Sequence, residues 1–258
     1  PNRLTGGFVG VDVFFVISGF LITTHLLEHP PRGGRMLVHF WARRVRRLLP
    51  AASLVLVVTV AASAVLLPAL QARVAAREGI AAALYVENWY LALTATDYFA
   101  ADVAASPIRH FWSLSVEEQF YVFWPLLIAG TLFLMRKRRR TQLALGIAIG
   151  VVIVVSLTYS VWLTHADPAR AYFVTTTRMW ELAIGGFAAW LVLQGVVKRL
   201  PLWTRAAGAW LGLAMILYSV IWFDAETPFP GWTALIPTVG TMLVILADTD
   251  HLRGSPRP

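Results

Sequence analysis

Carboxylates and guanidiniums set into apolar runs are the residues of this sequence with the most chemistry to offer. In Ser106-Pro-Ile-Arg-His-Phe-Trp-Ser-Leu-Ser-Val-Glu-Glu-Gln-Phe-Tyr-Val-Phe-Trp-Pro125, polar groups run straight into an apolar segment that reaches Met135. A charged side chain at the centre of a bilayer costs at least ~2.5–3.5 kcal/mol, so Glu117 and Glu118 mark a functional site if this segment is inserted. Glu117, Tyr121, Trp124 and Ile128 follow i, i+4, i+7, i+11 spacing and share one helical face. A carboxylate on an aromatic face suits proton transfer or partnership with an arginine, and Arg109 and His110 are the nearest candidates in sequence. Ser115 and Glu118 also fit an S-x-x-E capping box, with Glu118 reaching back to the Ser115 amide. Capping accounts for Glu118 and leaves Glu117 without a structural explanation.

Three other segments hold groups of the same kind. In Gly6-Gly-Phe-Val-Gly-Val-Asp-Val-Phe-Phe-Val-Ile-Ser-Gly-Phe-Leu-Ile-Thr23, Gly6 and Gly10 form a small-xxx-small pair suited to close helix approach. Asp12 either complements a helix N-terminus or takes part in catalysis, and Ser18 and Gly19 read as packing. In Thr175-Thr-Thr-Arg-Met-Trp-Glu-Leu-Ala-Ile-Gly-Gly186, Arg178 and Glu181 are i, i+3 neighbours that either neutralise each other or line a path through the bundle. Arg43-Arg-Val-Arg-Arg47 abuts Leu48-Leu-Pro50 at the foot of an apolar run. Guanidiniums at a membrane mouth can grip phosphates in bidentate fashion. Phe229-Pro-Gly-Trp232, with Pro237 and Gly240, reads as a turn into a helix.

The elements that must position these groups are membrane helices. Of 258 residues, 58% are hydrophobic and 14% charged, with a mean hydropathy of +0.65, against roughly 45–50% apolar and 25% charged in soluble domains. A spanning helix needs about 20 mostly apolar residues, and the candidates are residues 8–27, 49–70, 113–135, 143–164, 176–197, 206–223 and 229–247. Residues 75–93 are interrupted by Arg77, Glu78, Glu87 and Asn88 and are read as an interfacial or extracytoplasmic helix. With seven spans and Phe8 outside, the basic clusters Arg32–Arg47, Arg136–Arg140, Lys198–Arg205 and Arg253–Arg257 all fall inside, which satisfies the positive-inside rule. The net charge of +8 therefore reports topology and attraction to lipid, and no nucleic-acid partner is expected. The chain has no Cys, and its six His show no paired ligand spacing, so no metal is expected. The expected fold is an all-α polytopic transmembrane bundle, about seven spans plus the one interfacial helix.

Residues 7–23, 43–50, 110–125, 177–186 and 230–240 together resemble the acyltransferase-3 family of membrane O-acyltransferases. The resemblance rests on G-x-D-x-F-F-x-x-S-G-F-L, R-x-x-R before L-L-P, and F-W-S-L-x-x-E-x-Q-F-Y, in that order. It implies a bundle of about ten helices that takes an acyl group, most often acetyl, from cytoplasmic acyl-CoA. The group is delivered to a hydroxyl of a cell-surface carbohydrate or lipid-linked glycan from a bacterial inner membrane. Arg44 and Arg47 match the family's R-x-x-R and, with Arg43, are the expected contacts to acyl-CoA. Asp12, Glu117, Arg178 and Glu181 are the expected catalytic groups toward the outer half, Arg178 holding Glu181 charged or steadying an oxyanion.

The family's Arg-and-His first helix has no match here, and His25 lies on the wrong side of the first span to supply it. The expectation is thus a single acyltransferase domain over 1–258, truncated at both ends, with its base His upstream. A transporter or flippase of a lipid-linked or acylated glycan is the competing reading, since intramembrane carboxylates suit it too. A scaffold without activity is a third.

Overall fold

The computed structural model describes residues 5–31, 33–94, 106–136 and 140–247. Ten α-helices account for most of them: α1 (Gly10–Glu28), α2 (Gly34–Leu66), α3 (Ala69–Ala83), α4 (Glu87–Leu93), α5 (Phe111–Leu134), α6 (Thr141–Ala166), α7 (Pro168–Phe173), α8 (Thr175–Leu193), α9 (Leu202–Trp222) and α10 (Leu235–Ala247). Short 3₁₀ turns stand at Gly7–Val9 and Val197–Arg199, and no strand occurs among the described residues. The all-α expectation holds. Most of the Arg136–Arg140 run and the tail from Asp248 onward lie outside the described residues.

Among the described residues, four helical segments are long and apolar enough to cross a membrane: Gly7–Glu28, Gly34–Leu66, Thr141–Ala166 and Leu202–Trp222. The sequence pointed to seven. Helices α5 and α8 have 24 and 19 residues, which is sufficient length, but their N-terminal halves carry Glu117, Glu118 and Gln119, or Thr175–Thr177, Arg178 and Glu181. Helix α10 has 13 residues. The interrupted segment 75–93 is not one helix: α3 ends at Ala83, Tyr85 takes a positive φ of 55°, and α4 starts at Glu87.

Helix α8 is the centre of the bundle, packed on α1, α6 and α10 and buried along most of its length. Its crossing with α1 is backbone on backbone. A Cβ on Gly19 would stand 1.8 Å from the Leu182 carbonyl oxygen, and one on Gly185 would stand 2.0 Å from that of Val16. Small residues let helices approach this closely in lipid, where van der Waals packing and interhelical hydrogen bonds replace the hydrophobic effect. Gly6 is similarly tight, 2.1 Å from the Ser219 oxygen, whereas Gly10 faces open space. The expected Gly6–Gly10 pair therefore works through one member only.

Helices α1, α5 and α8 run parallel. Phe15 meets Trp112, Ser18 meets Glu117, and Thr23 accepts from Trp124 Nε1 at 2.7 Å along α1 and α5. Asp12 meets Arg178, and Thr23 lies against Gly186, along α1 and α8. Three N-terminal ends thus gather at one end of the bundle. Helix α2 runs against them, with Leu56 near Phe111 and Arg44 beside Glu118.

The α3–α4 elbow closes over that same end. Asn88 donates to the Phe173 carbonyl (3.2 Å) and to Thr175 (2.9 Å), and Gln119 donates to Tyr85 O and Asn88, both at 2.9 Å. Trp89 Nε1 donates to Gln119 at 2.9 Å. These bonds tie α4 to α5 and α8. Beneath the elbow lie the buried carboxyls of Glu78 and Glu87, with Arg109 nearby. Burial, then the like charge of Glu78, pushes Glu87 from 4.5 up to about 8 against the opposing pull of Arg109.

Two outcomes are expected in thermal unfolding of the purified protein. Gly19→Ala should cost at least the ~1–3 kcal/mol of an overpacked core, since backbone atoms block its Cβ, whereas Gly150→Ala, facing open space, should be neutral or mildly stabilising. A neutral Glu87 stabilises the fold fully below pH 4.5, and that contribution fades as pH rises toward about 8. Glu87→Gln should therefore flatten the decline of Tm across that window.

Candidate active site

Two polar clusters lie between these helices, and each draws on more than one chain segment. The first is held by α1 and α8. Asp12, Arg178 and Glu181 are wholly buried. Arg178 Nη1 donates to Asp12 Oδ1 at 3.1 Å and to Glu181 Oε1 at 2.8 Å, and its Nε donates to the Tyr172 carbonyl at 3.1 Å. The Tyr172, Phe229 and Trp112 rings surround the guanidinium, with centroids 4.8, 5.0 and 5.6 Å from Cζ, so cation–π attraction adds to the ion pairs. The i, i+3 pairing of Arg178 with Glu181 holds, and Asp12 joins it from across the α1–α8 crossing. Asp12 Oδ2, Glu181 Oε2 and Arg178 Nη2 have no hydrogen-bond partner within the protein.

The second cluster lies about 10 Å further along α5 and α1, counting ~1.5 Å per residue from their starts. Glu117 Oε1 accepts from Ser18 Oγ at 2.5 Å and from Tyr121 OH at 2.7 Å, and Arg44 Nη2 lies 3.5 Å away. Ser18 Oγ and Tyr121 OH also touch each other, and either could be the donor of that contact in place of its bond to Glu117. Arg44 Nε donates to both oxygens of Glu118, at 2.8 and 3.1 Å, and its guanidinium stacks 3.3 Å from the Tyr121 ring centroid. Trp41 Nε1 donates to the Tyr121 carbonyl at 3.0 Å and pins α2 against α5. Ser18, Glu117 and Tyr121 are buried, while the Arg44 and Glu118 side chains keep 23% and 20% of their surface open. A polar core with one open side follows.

The helical face expected from Glu117, Tyr121, Trp124 and Ile128 is buried throughout. The capping box does not form. Helix α5 already begins at Phe111, so Ser115 sits in its second turn and donates to the Phe111 carbonyl at 3.1 Å, which frees Glu118 to turn toward Arg44. Arg109 and His110 are not the partners of Glu117, since Arg109 lies by Glu78 and Glu87. The basic cluster divides: Arg44 enters the bundle, whereas Arg43 and Arg47 stay exposed. His25 stacks with His29 and Phe40, away from both clusters. Ser18, read from sequence as packing, and Trp41, not singled out, belong to the Glu117 cluster, while Gln119, also not singled out, ties the α3–α4 elbow to α5. Their one sequence signal was position, each being a polar or aromatic group in the same stretch as a suspected site residue.

Among the described residues, no group of three His, Asp or Glu is arranged to hold a metal ion. Around Glu117 the arrangement is a carboxylate within reach of two hydroxyls with a cation at the open side, groups that can exchange protons and stabilise negative charge.

Removing the charge of Arg178 leaves two buried carboxyls facing each other. Breaking a buried pair costs ~3–5 kcal/mol, so Arg178→Met should sharply reduce Tm. Adding Asp12→Asn and Glu181→Gln to it should recover part of that loss in the same unfolding assay.

A family model described as an acyltransferase domain matches residues 2–257. The protein named "Putative peptidoglycan O-acetyltransferase YrhL" of Bacillus subtilis (strain 168) is 35% identical over 237 residues, covering 88% of this chain and 36% of that protein. O-acetyltransferase OatA of Staphylococcus aureus (strain NCTC 8325 / PS 47) is 37% identical over 200 residues, covering 76% of this chain and 32% of that protein. The chain spans about a third of the length of these relatives. No solved structure matches it. The match along nearly the whole chain, together with these identities, shows that it belongs to the acyltransferase-3 family of membrane O-acyltransferases.

Proposed function

We propose that the chain transfers an acyl group, acetyl in the first instance, from cytoplasmic acyl-CoA to a hydroxyl of a cell-surface carbohydrate, working from a bacterial inner membrane. The observation that carries this reading is the Ser18–Glu117–Tyr121–Arg44 cluster. A carboxylate supplied with hydroxyl donors and one open side is fitted to take a proton from an attacking hydroxyl, and a guanidinium at that side to polarise a thioester carbonyl. The names of the two relatives point to O-acetylation, and one of them names peptidoglycan.

In this reading Arg43 and Arg47, free at the surface of α2, meet the phosphates of the donor. Arg44 is committed to Glu118 and the Tyr121 ring and serves the reacting centre. A cavity of about 770 Å³ lies between the start of α2 and the C-terminal half of α5, lined in part by Pro30, Leu37, Leu126, Ala129, Phe133 and Arg136. Its largely apolar wall suits the donor's pantetheine arm. Asp12, Arg178 and Glu181 hold the acceptor end of the bundle in shape.

Transport of a lipid-linked glycan draws on the same intramembrane charges. It calls for discontinuous helices in paired repeats, whereas α1, α5, α6, α8 and α9 each run unbroken, and this favours the transferase.

The test is acetyl transfer by the full-length protein from acetyl-CoA to a glycan acceptor. Glu117→Gln should lower kcat by ~10²–10⁴-fold, the range of a lost general base, with donor KM little changed. Arg43→Ala with Arg47→Ala should instead raise the KM for acetyl-CoA. Wild-type kcat in Glu117→Gln would overturn the reading.

A further inference from the structure

We propose that Ser18 carries the acyl group covalently between donor and acceptor, so that transfer proceeds in two half-reactions through an ester on α1. This rests on the reading of the Glu117 cluster as the acyl-transfer site.

A hydroxyl inside a membrane helix ordinarily bonds back to the carbonyl four residues earlier. Thr23, Thr24, Ser63, Ser115, Thr131 and Ser219 all do so here. Ser18 departs from that pattern and sends its proton across the helix interface to Glu117 Oε1 at 2.5 Å. Tyr121 OH lies against both members of the pair and donates to the same carboxylate oxygen, so all three groups are held together. A hydroxyl held against a carboxylate, with a third group orienting the two, is the geometry of an activated nucleophile.

The position is rigid where a nucleophile must be. Gly19, the next residue, lies against the Leu182 backbone, so α1 cannot rotate about its axis without a clash. Thr23 is held by Trp124 one turn further on. Ser18 therefore faces α5. The cluster is open beside Arg44, whose side chain keeps 23% of its surface exposed. A thioester carbonyl entering there meets the guanidinium first and the hydroxyl behind it.

The steps balance. Ser18 Oγ attacks the thioester carbonyl carbon while its proton passes to Glu117. The carbon–sulfur bond breaks, and the thiolate takes that proton and leaves as free CoA. An acceptor hydroxyl then attacks the Ser18 ester, gives its proton to Glu117, and the proton returns to Ser18 Oγ as the new ester departs. Arg44 stabilises the oxyanion in both halves.

The experiment gives full-length protein [¹⁴C]acetyl-CoA without acceptor and follows free thiol and protein-bound label. A burst of about one CoA per protein is expected, with label on the peptide containing Ser18 that discharges when acceptor is added. Ser18→Ala should carry no label and transfer at least ~10²-fold more slowly, and Ser18→Cys should carry label that hydroxylamine removes. Unlabelled wild-type protein that still turns over, or label on another residue, overturns the relay, and the wild-type measurement needs no variant to fold. Normal transfer by Ser18→Ala alongside loss in Glu117→Gln overturns the relay and leaves the Glu117 site standing. Normal transfer by both variants overturns both.

Discussion

The contact between α1 and α8 governs where every polar group in this bundle can be. The two helices meet through Gly19 and Gly185 with their backbones in contact, which fixes both separation and rotation. Asp12 then has to face Arg178, and Ser18 has to face away from α8, toward α5. One steric fact at two glycines thereby sets up two chemically different clusters, one around a guanidinium and one around a carboxylate.

The two clusters solve the cost of charge in lipid differently. Arg178 is sealed, its positive charge divided between two carboxyls, a backbone carbonyl and three aromatic faces. Arg44 is held by Glu118 and the Tyr121 ring but keeps part of its surface open. Buried ion pairs gain little net stability, so the sealed one is best understood through the register it fixes between α1 and α8.

Much of this was legible in the sequence, because period and composition are local properties. The 3.6-residue face of Glu117, Tyr121, Trp124 and Ile128 is buried as its spacing requires, and the Arg178–Glu181 pair forms because i, i+3 neighbours on a helix need no tertiary help. The four polar residues of segment 75–93 marked it as non-spanning, but its break at Tyr85 carried no sequence signal. What failed was everything that depends on a second helix. Glu118 has a plausible local partner in Ser115, and only the arrival of α2 makes Arg44 the better one. The same holds for Arg44, which charge counting assigns to the membrane foot and which the antiparallel course of α2 carries into the bundle. Ser18 gives no local signal at all, since a helical serine normally satisfies itself on its own backbone.

The low apolarity of α5 and α8 has a bearing on how the protein is made. Each ionised group near the middle of a lone helix adds roughly 2.5–3.5 kcal/mol to the cost of partitioning into lipid. α5 carries two carboxylates and α8 a guanidinium and a carboxylate. Neither is a good insertion signal by itself. Both become good ones beside a helix already in place, because α2 arrives before α5 with Arg44, and α1 arrives before α8 with Asp12. The order of synthesis thus presents each charge with its counter-charge already waiting, and the ion pairs between helices make biogenesis of the bundle a cooperative event.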